Sequence, residues 1–393
     1  MKKNNSLCVI DFGSSMLRMG VFDKSYNRLH HSSKIILEEN NYEEYLQSVN
    51  LLVREAEKKI SNHLESVFVL CDDSEILSVD LSIKKNFDQN VLIKDVYYSM
   101  IEECNQLINN NYINRKIIHR IITRYIIDEK EIIESSKIDL TGKSIIIEIK
   151  YICFPTKKFN KIKNVFKKNN LEITNFFCSS YVKSFSYINS LNDYDYITFV
   201  DIGWEKSTLT SFHKKKIICI NSIPVGGNHF TKDISKIFKI NFQESENIKK
   251  IFNKSELEFS YDQDINSKNE KFLKEIISKN ISVDLLKKVI LSRIEEIIEL
   301  LFKNFYCLDK VKKFSNSILV LTGNGSKLLD KNTFYMNDEY KFKEIIFYEE
   351  KDLEICLTGL KFSVNSDESD FLISQKNHKK TGIFERFFNF FGR

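Results

Sequence analysis

Two aspartates occupy matching positions in the two halves of the chain. Asp11 and Asp201 each end an apolar, β-branched run, and a glycine follows two residues later, before a short polar turn and an alternating run. This pattern is typical of two strands joined by a tight turn, with the aspartate at the end of the first strand. Two such hairpins, about 190 residues apart, predict two related half-molecules that face each other.

These hairpins have the residue types that phosphate and metal binding require. An aspartate at a strand end can hold hydrated Mg²⁺, which keeps several waters and binds through one or two carboxylates plus nucleotide phosphates. The turn glycines, Gly13 and Gly203, let backbone N–H groups approach an anion, and the hydroxyls of Ser14, Ser15 and Ser207 add donors. We therefore expect the two aspartates to bind Mg²⁺ through water and to position a reacting water. An ordinary β-turn is the alternative for either hairpin alone.

Two further glycine turns lie in the second half. Gly226 and Gly227 open a helical segment, whose N-terminal amides can face a phosphate or the rest of a nucleotide. A plain helix start is the alternative. Gly323 and Gly325 follow a buried strand, and a turn without side chains admits a flat ring against the backbone.

The composition limits the class of protein. At 393 residues, with 42% hydrophobic and 29% charged residues, the chain predicts a globular protein of two or more domains. The net charge of +5 is scattered, so a nucleic-acid partner is not expected. The 8 cysteines include no C-x-x-C pair, which indicates reduced thiols rather than a disulfide frame or a zinc site. The N-terminal apolar run is too short for a signal peptide, and no apolar stretch approaches the ~18 residues of a membrane-spanning helix.

The order of elements predicts a mixed α/β protein. The first 70 residues are expected to be β-β-β-α-β, and a small α/β unit follows within about 85–155. Helices are predicted at 42–62, 91–108, 156–168, 180–188, 229–238 and 284–305, and later strands at 116–125, 144–154, 171–177, 217–223 and 318–321.

The C-terminus has a composition of its own. Residues 363–381 are polar and predict a flexible linker, and residues 382–393 contain five phenylalanines. At 100° per residue the apolar side chains of the last segment share one face. These side chains are Ile383, Phe384, Phe387, Phe388, Phe390 and Phe391. An amphipathic helix lying in the membrane surface is predicted, and a helix docked on the protein is the alternative.

Taken together, these motifs resemble those of FtsA, the actin-like cell-division family of bacteria, over essentially the whole chain. Residues 11–15 look like the first phosphate motif of the family, and residues 200–203 look like the start of the second. Residues 224–234 are similar to its connecting segment, which is the most specific match, and residues 321–325 resemble its adenosine motif. An Arg-x-Glu-Glu pattern at 293–296 also matches.

The resemblance implies an α/β actin-like ATPase fold, in which two related α/β domains enclose a nucleotide cleft and one carries an inserted small α/β subdomain. It implies the following divisions: subdomain 1A at 1–84 and 156–190, inserted subdomain 1C at 85–155, subdomain 2A at 191–226 and 313–362, subdomain 2B at 227–312, linker 363–381 and membrane-targeting helix 382–393.

The resemblance also implies a function. The protein would bind ATP and Mg²⁺, polymerise, and tether the FtsZ ring to the inner face of the cytoplasmic membrane at the division site, where it would recruit later division proteins. The lysines of subdomain 2B, such as Lys232, Lys236, Lys249 and Lys250, would supply the charge complementary to the acidic tail of FtsZ, and a solvated helical face is the alternative explanation for them. The residues expected at the nucleotide are Gly13, Ser14, Ser15, Arg18, Gly203, Ser207, Gly226, Gly227, Asn228, Glu296, Gly323, Asn324 and Gly325.

Three departures from the family pattern argue against efficient hydrolysis. Residues 204–206, a tryptophan, a glutamate and a lysine, replace two glycines and a threonine of the second phosphate motif. Met16 replaces a lysine of the first motif, which leaves Arg18 as the nearest cation. Ser179 stands where relatives carry a glutamate that can orient water. At most a slow ATPase is expected.

Two other functions remain open on the same fold. One is a scaffold of pilus or secretion assembly. The other is a sugar-kinase-like phosphotransferase, which would need a carboxylate base beside a closed substrate cleft and would have no use for the terminal phenylalanine-rich helix.

Overall fold

The structure is a computed structural model, and it describes residues 6–38, 41–132, 140–188, 190–256, 279, 281–303, 316–329 and 342–365. Its strands are β1 (Leu7–Phe12), β2 (Met16–Phe22), β3 (Arg28–Ile35), β4 (Ser66–Leu70), β5 (Leu77–Leu92), β6 (Arg115–Ile127), β7 (Lys130–Ile132), β8 (Thr141–Pro155), β9 (Glu172–Phe177), β10 (Tyr196–Ile202), β11 (Ser207–His213), β12 (Lys216–Ile223), β13 (Ser317–Thr322) and β14 (Glu344–Phe347). Its helices are α1 (Tyr42–Ile60), α2 (Ile93–Asn111), α3 (Thr156–Lys168), α4 (Ser179–Ile188), α5 (Gly227–Phe238), α6 (Phe242–Glu256), α7 (Val283–Lys303) and α8 (Asp352–Asn365), with a 3-10 turn at Asn324–Leu328.

Two five-stranded sheets repeat one topology. The first has the order β3-β2-β1-β4-β9, and the second has the order β12-β11-β10-β13-β14. In each sheet the first strand of the hairpin pairs antiparallel with the second and parallel with its other neighbour. Asp11 therefore lies opposite Arg18, and Asp201 lies opposite Thr208. The predicted pair of related α/β halves is confirmed.

The inserted unit is a third sheet of four strands, ordered β5-β8-β6-β7, with α2 packed on it. Its core is separate and includes Met100, Cys104, Ile147 and Tyr151. Strand β5 was not predicted, and the expected boundary at residue 85 falls inside it. Because β5 is an edge strand with mostly part-exposed side chains, it lacks the apolar run that marks a buried strand.

Helices α4 and α8 connect the two halves by crossing between them. Helix α4 follows β9 of the first sheet and packs on β10 and β11 of the second. Helix α8 follows β14 of the second sheet and packs on β1, β2 and β4 of the first, as well as on α4. A Cβ on Gly359 of α8 would lie 2.9 Å from Leu70, which shows how closely α8 approaches the first sheet. One continuous core therefore spans both sheets.

Local sequence accounts for the other helices. Asn41 caps α1 by accepting from the Glu44 amide at 3.2 Å, and Ser61 ends the helix in the left-handed region at φ 52°. Helix α7 buries a stripe at spacings of three and four against the second sheet and α5. The stripe consists of Leu286, Ile290, Ile294, Ile297, Ile298, Leu301 and Phe302.

Near the C-terminus, α8 continues to Asn365, so the first three residues of the predicted linker are helical. The rest of the linker and the predicted membrane helix at 382–393 lie outside the described residues. No helix in the described part of the chain is both long enough and apolar enough to cross a bilayer.

Candidate functional site

Four carboxylates gather at the carboxyl ends of strands from both halves. Asp11 lies at the end of β1, Asp72 just after β4, Asp201 at the end of β10, and Glu350 just after β14. All four act electrostatically on a single ammonium, that of Lys183 on α4. The carboxyl ends of strands at a cleft between α/β halves are the usual position of a ligand site in such folds.

Lys183 is the centre of this cluster. Its ammonium is buried, donates to Asp201 and forms an ion pair of 3.1 Å with Glu350. Burial alone would lower the pKa of Lys183, but the surrounding carboxylates raise it well above its ordinary value. Burial raises the pKa of Glu350, and the neighbouring ammonium opposes that rise. Lys183 therefore stays charged inside the cleft.

Asp11 is held by two donors of the chain. The Arg18 guanidinium pairs with one carboxylate oxygen at 2.8 Å, and the Ser179 hydroxyl donates to the other at 3.1 Å. Arg18 also pairs with Asp352 of α8 at 2.5 Å, which links the first hairpin to the last described helix. Burial alone would lower the pKa of Arg18, but these two carboxylates outweigh burial and raise that pKa.

Asp72 receives a different set of donors. It accepts from the Ser180 amide at 3.0 Å, from the Ser180 hydroxyl at 2.5 Å and from the Cys178 thiol at 3.2 Å. Its backbone carbonyl accepts from the Lys206 ammonium, which belongs to the turn of the second hairpin. This contact joins the two halves across the cleft.

The two aspartates predicted to hold hydrated Mg²⁺ are therefore already bonded to basic side chains. At an effective dielectric constant near 20, a divalent ion placed ~4 Å from an ammonium is repelled by on the order of 8 kcal/mol. Within the described ranges, no three His, Cys, Asp or Glu side chains are grouped so that they could hold a metal ion. The side chains present do not fit a divalent cation at Asp201 while Lys183 occupies that position.

The glycine turns of the second half pack directly against one another. The Gly227 amide donates to the Gly203 carbonyl at 2.8 Å, and a Cβ on Gly226 would lie 2.7 Å from that same carbonyl oxygen. A Cβ on Gly325 would lie 2.4 Å from a side-chain atom of Ile202. Gly323 has φ +81°, and a Cβ there would lie 2.4 Å from the Asp201 carboxylate. The structure thus brings these five predicted glycines together beside Asp201.

Some predicted donors serve the packing of the turn instead. The amides of Gly227 and Asn228 are bonded to the carbonyls of Gly203 and Trp204, both at 2.8 Å, so these helix-start amides already have protein acceptors. The Ser207 side chain is fully buried and donates to the Val225 carbonyl at 2.6 Å. It supports the turn from beneath rather than facing the cleft.

In the first half, the turn at 13–15 is anchored by its carbonyls. The Tyr45 hydroxyl donates to the Gly13 carbonyl at 3.3 Å, and the Ile36 amide donates to the Ser15 carbonyl at 2.9 Å. Ser14 is buried, whereas Asn324 of the adenosine-type turn is exposed.

The glutamate that departs from the second phosphate motif is neutralised by α5. Glu205 accepts from the Asn228 side chain and lies 3.9 Å from the Lys232 ammonium. The neighbouring Lys206 ammonium instead donates to the backbone carbonyl of Asp72. Glu205 is therefore held against the start of α5.

Trp204 covers a buried ion pair that the sequence analysis did not place in the cleft. The Lys249 ammonium lies 4.8 Å from the Trp204 ring, 2.6 Å from Glu246 and 3.0 Å from the Gly227 carbonyl. Burial lowers the pKa of Lys249, and Glu246 opposes that effect. Lys249 was expected to face a partner protein, but its burial beneath Trp204 makes it part of the site. The sequence signal for this pair was a glutamate and a lysine three residues apart, a spacing that places both side chains on one face of α6.

Glu296 does not join the glycine turns. Its exposed carboxylate pairs with Arg293, which is bonded to Asp233 of α5 at 2.6 and 2.8 Å. These contacts hold Glu296 at the junction between α5 and α7. Its expected contact with adenosine stays a prediction.

Residues 198–331 match the family model described as cell division protein FtsA. The FtsA proteins of two Helicobacter pylori strains are 28% and 27% identical over 158 residues, which is 38% of this chain. That aligned segment spans 31% of the length of each relative. A solved PilM–PilN type IV pilus biogenesis complex superposes with TM-score 0.53 and 12% identity, covering 91% of this chain and 96% of that chain.

At such low identity the structural likeness shows the fold alone. The sequence match covers the second hairpin from residue 198, the Gly226–Gly227 turn and the Gly323–Gly325 turn, whereas Lys183 and three of the four clustered carboxylates lie outside it. The chain has the actin-like ATPase fold, and its residues 198–331 are similar to FtsA.

Proposed function

We propose that this chain is a nucleotide-dependent, polymerising adaptor of bacterial cell division. In this proposal it binds ATP in the cleft, self-associates into filaments, and tethers FtsZ to the inner face of the cytoplasmic membrane at the division site, where it recruits other division proteins. The observation that carries the proposal is the FtsA family match over 198–331, which contains three of the four glycine turns.

The cleft has the chemistry that a nucleotide requires. Arg18, Lys183 and Lys206 bring three cationic donors to the strand ends, where polyphosphate would replace part of their present bonding to Asp11, Asp201, Glu350 and the Asp72 carbonyl. The turn from Gly323 to Gly325 offers backbone without side chains to a nucleoside. Next to it, the Glu246–Lys249 pair supplies buried polar groups.

The site is poorly equipped for hydrolysis. At the position where a carboxylate would orient a water, Ser179 uses its hydroxyl to donate to Asp11. A hydroxyl so engaged is a weak general base. We therefore assign the cleft to binding, with at most slow ATP hydrolysis.

Attachment to the membrane is assigned to residues 382–393. Their six apolar side chains share one face, and four basic residues at 379, 380, 386 and 393 favour anionic lipid. The protein would then be peripheral and not membrane-spanning.

The test is co-sedimentation of the full chain with polymerised FtsZ, with and without ATP. The exposed lysines Lys232 and Lys236 of α5 are the candidate contacts for the acidic FtsZ tail, now that Lys249 is placed inside the site. We expect Lys232→Glu with Lys236→Glu to reduce the co-sedimented fraction. The control reverses Lys157 and Lys161, which have the same spacing on exposed positions of α3.

An equal decrease of the co-sedimented fraction in the two double variants would indicate a general charge effect and would count against Lys232 and Lys236 as the contact. Failure of the unaltered chain to sediment with FtsZ under any nucleotide condition would contradict the adaptor proposal and favour a scaffold of pilus or secretion assembly.

A further inference from the structure

The cation at the centre of the cleft is supplied by the chain itself. Lys183 lies on α4 and reaches the strand ends of the second sheet, where it contacts Asp201 and Glu350. Its ammonium is bonded to one carboxylate oxygen of Asp201, a residue predicted to hold a hydrated divalent ion. A lysine ammonium is a compact point charge that binds phosphate well.

The neighbouring acceptors are engaged in the same way. Asp11 is bonded by Arg18 and Ser179, and Asp72 is bonded by Ser180 and Cys178. A hydrated Mg²⁺ binds such carboxylates through the O–H groups of its waters, so it would compete with donors that are covalently part of the fold. The competition favours the protein donors, because they lose less conformational and translational freedom on binding than a free hydrated ion does.

We propose that Lys183 takes the place of the divalent cation in this cleft, so that the chain binds ATP without Mg²⁺. This inference rests on the proposed ATP binding. The Lys183 ammonium would take the role that the sequence assigned to magnesium at Asp11 and Asp201. Lys183 is held by two carboxylates before the nucleotide arrives, which positions its charge for the phosphates. Arg18 and Lys206 flank it on the two hairpins and share the neutralisation of the phosphate charge.

The dependence of ATP affinity on Mg²⁺ distinguishes a lysine ammonium from a bound metal at this position. In the unaltered protein, ATP should bind with nearly the same affinity in EDTA and in MgCl₂. Removing the ammonium should expose Asp201 to hydrated Mg²⁺, because the carboxylate then has no lysine partner. A variant without Lys183 should therefore require the metal that the unaltered protein does not.

The experiment is calorimetric titration of the full chain with ATP, once in EDTA and once in MgCl₂. For the unaltered protein the two dissociation constants should agree within about threefold. For Lys183→Met the affinity in EDTA should fall by at least about tenfold, and MgCl₂ should restore most of it. Lys150→Met is the matched control, because Lys150 is also buried and ion-paired, to Asp80 on the sheet of the inserted unit.

Lys183→Met leaves two buried carboxylates without their partner, so thermal unfolding of each variant is measured first. If the single variant does not fold, Lys183→Met with Asp201→Asn removes one charge of each sign, and ATP binding in EDTA should then be lost without rescue by MgCl₂. The unaltered protein tests the proposal even without any variant.

The outcomes separate the two proposals. Binding of ATP to the unaltered protein that is at least about tenfold tighter in MgCl₂ than in EDTA overturns the role of Lys183 and leaves ATP binding intact. Absence of ATP binding in both solutions overturns the proposed nucleotide function itself. Equal binding in both solutions, together with metal dependence in Lys183→Met, supports the substitution of ammonium for metal.

Discussion

Gly323 is the residue whose conformation depends most clearly on having no side chain. Its φ of +81° is unfavourable for other residues, and an added Cβ would lie 2.4 Å from the Asp201 carboxylate. We expect Gly323→Ala to lower the free energy of unfolding by about 1–3 kcal/mol, through backbone strain and displacement of Asp201. Urea denaturation monitored by circular dichroism measures this change.

Gly227→Ala is the matched comparison for that prediction. A Cβ at this first position of α5 would meet nothing nearer than 3.4 Å. Its free energy of unfolding should change by less than about 1 kcal/mol. Equal destabilisation by both substitutions would show that the strain argument for Gly323 is wrong.

Some residues of the site could be predicted from the sequence, and others could not. Asp11 and Asp201 were identified because a carboxylate that ends an apolar run marks a strand end in any sequence. Asp72, which follows the Ser66–Leu70 strand, carries the same signal and was missed. The contacts of Lys183 with Glu350 and of Arg18 with Asp352 join residues 167 and 334 positions apart. No local pattern contains such pairs, because only the crossing of α4 and α8 brings them together.

Among the elements, those with strong periodicity were predicted well, whereas the edge strands β5 and β14 were not. Helix α3 has the bounds that the sequence predicted, because its apolar positions repeat at helical spacing. Strand β5 is an edge strand, and β14 has only four residues, so neither offers a long buried run. The helix was predicted from residue 229, but α5 begins two residues earlier, at Gly227. The acceptors of its first amides are Gly203 and Trp204, which belong to the turn of the second hairpin.

One histidine joins three elements and gives the fold a dependence on pH. His119 of β6 is fully buried, and its Nε2 accepts from the Cys178 amide at the start of α4 at 2.9 Å. Its ring also packs on Phe362 of α8. Burial lowers the pKa of His119 to about 3, from an ordinary value of 6.5. The folded protein therefore keeps this imidazole neutral.

The sign of the effect follows from proton binding. Between pH 6.5 and about 3 the unfolded chain binds a proton at His119 that the folded chain does not. The stability contributed by neutral His119 is complete above pH 6.5 and is lost as the pH falls, by up to about 1.4 kcal/mol per pH unit.

Urea unfolding at several pH values between 7.5 and 5 measures this dependence. His119→Gln keeps an acceptor for the Cys178 amide but cannot titrate, so its stability should fall less steeply with decreasing pH. If the free energy of unfolding falls equally steeply with decreasing pH in both proteins, the pH dependence comes from other groups.

For the whole molecule, membrane binding is expected to depend on assembly. Half-burying five phenylalanines of ~200 Å² each at ~25 cal/mol per Å² gives about 12 kcal/mol. Ordering twelve residues into a helix costs about the same, so one tail binds weakly. The basic residues add ~1 kcal/mol each on anionic lipid. A filament that presents many tails should bind tightly through their high effective concentration.

Deletion of residues 382–393 should therefore release the protein from anionic liposomes in a flotation assay and leave its ATP affinity unchanged. Phe387→Asp with Phe388→Asp should have the same effect, because both side chains lie on the predicted apolar face. Flotation of the truncated protein at the level of the full chain would place the membrane contact elsewhere.

The crossing of α8 onto the first sheet determines when the protein can fold during synthesis. The surface of β1 and β2 that α8 covers is synthesised well before α8, which spans Asp352–Asn365. At ~5–20 residues per second, roughly 15–70 s separate the two on the ribosome. During that interval an apolar face of the nascent first half has no covering helix. Any pause in translation before α8 is complete therefore prolongs the exposure of that face.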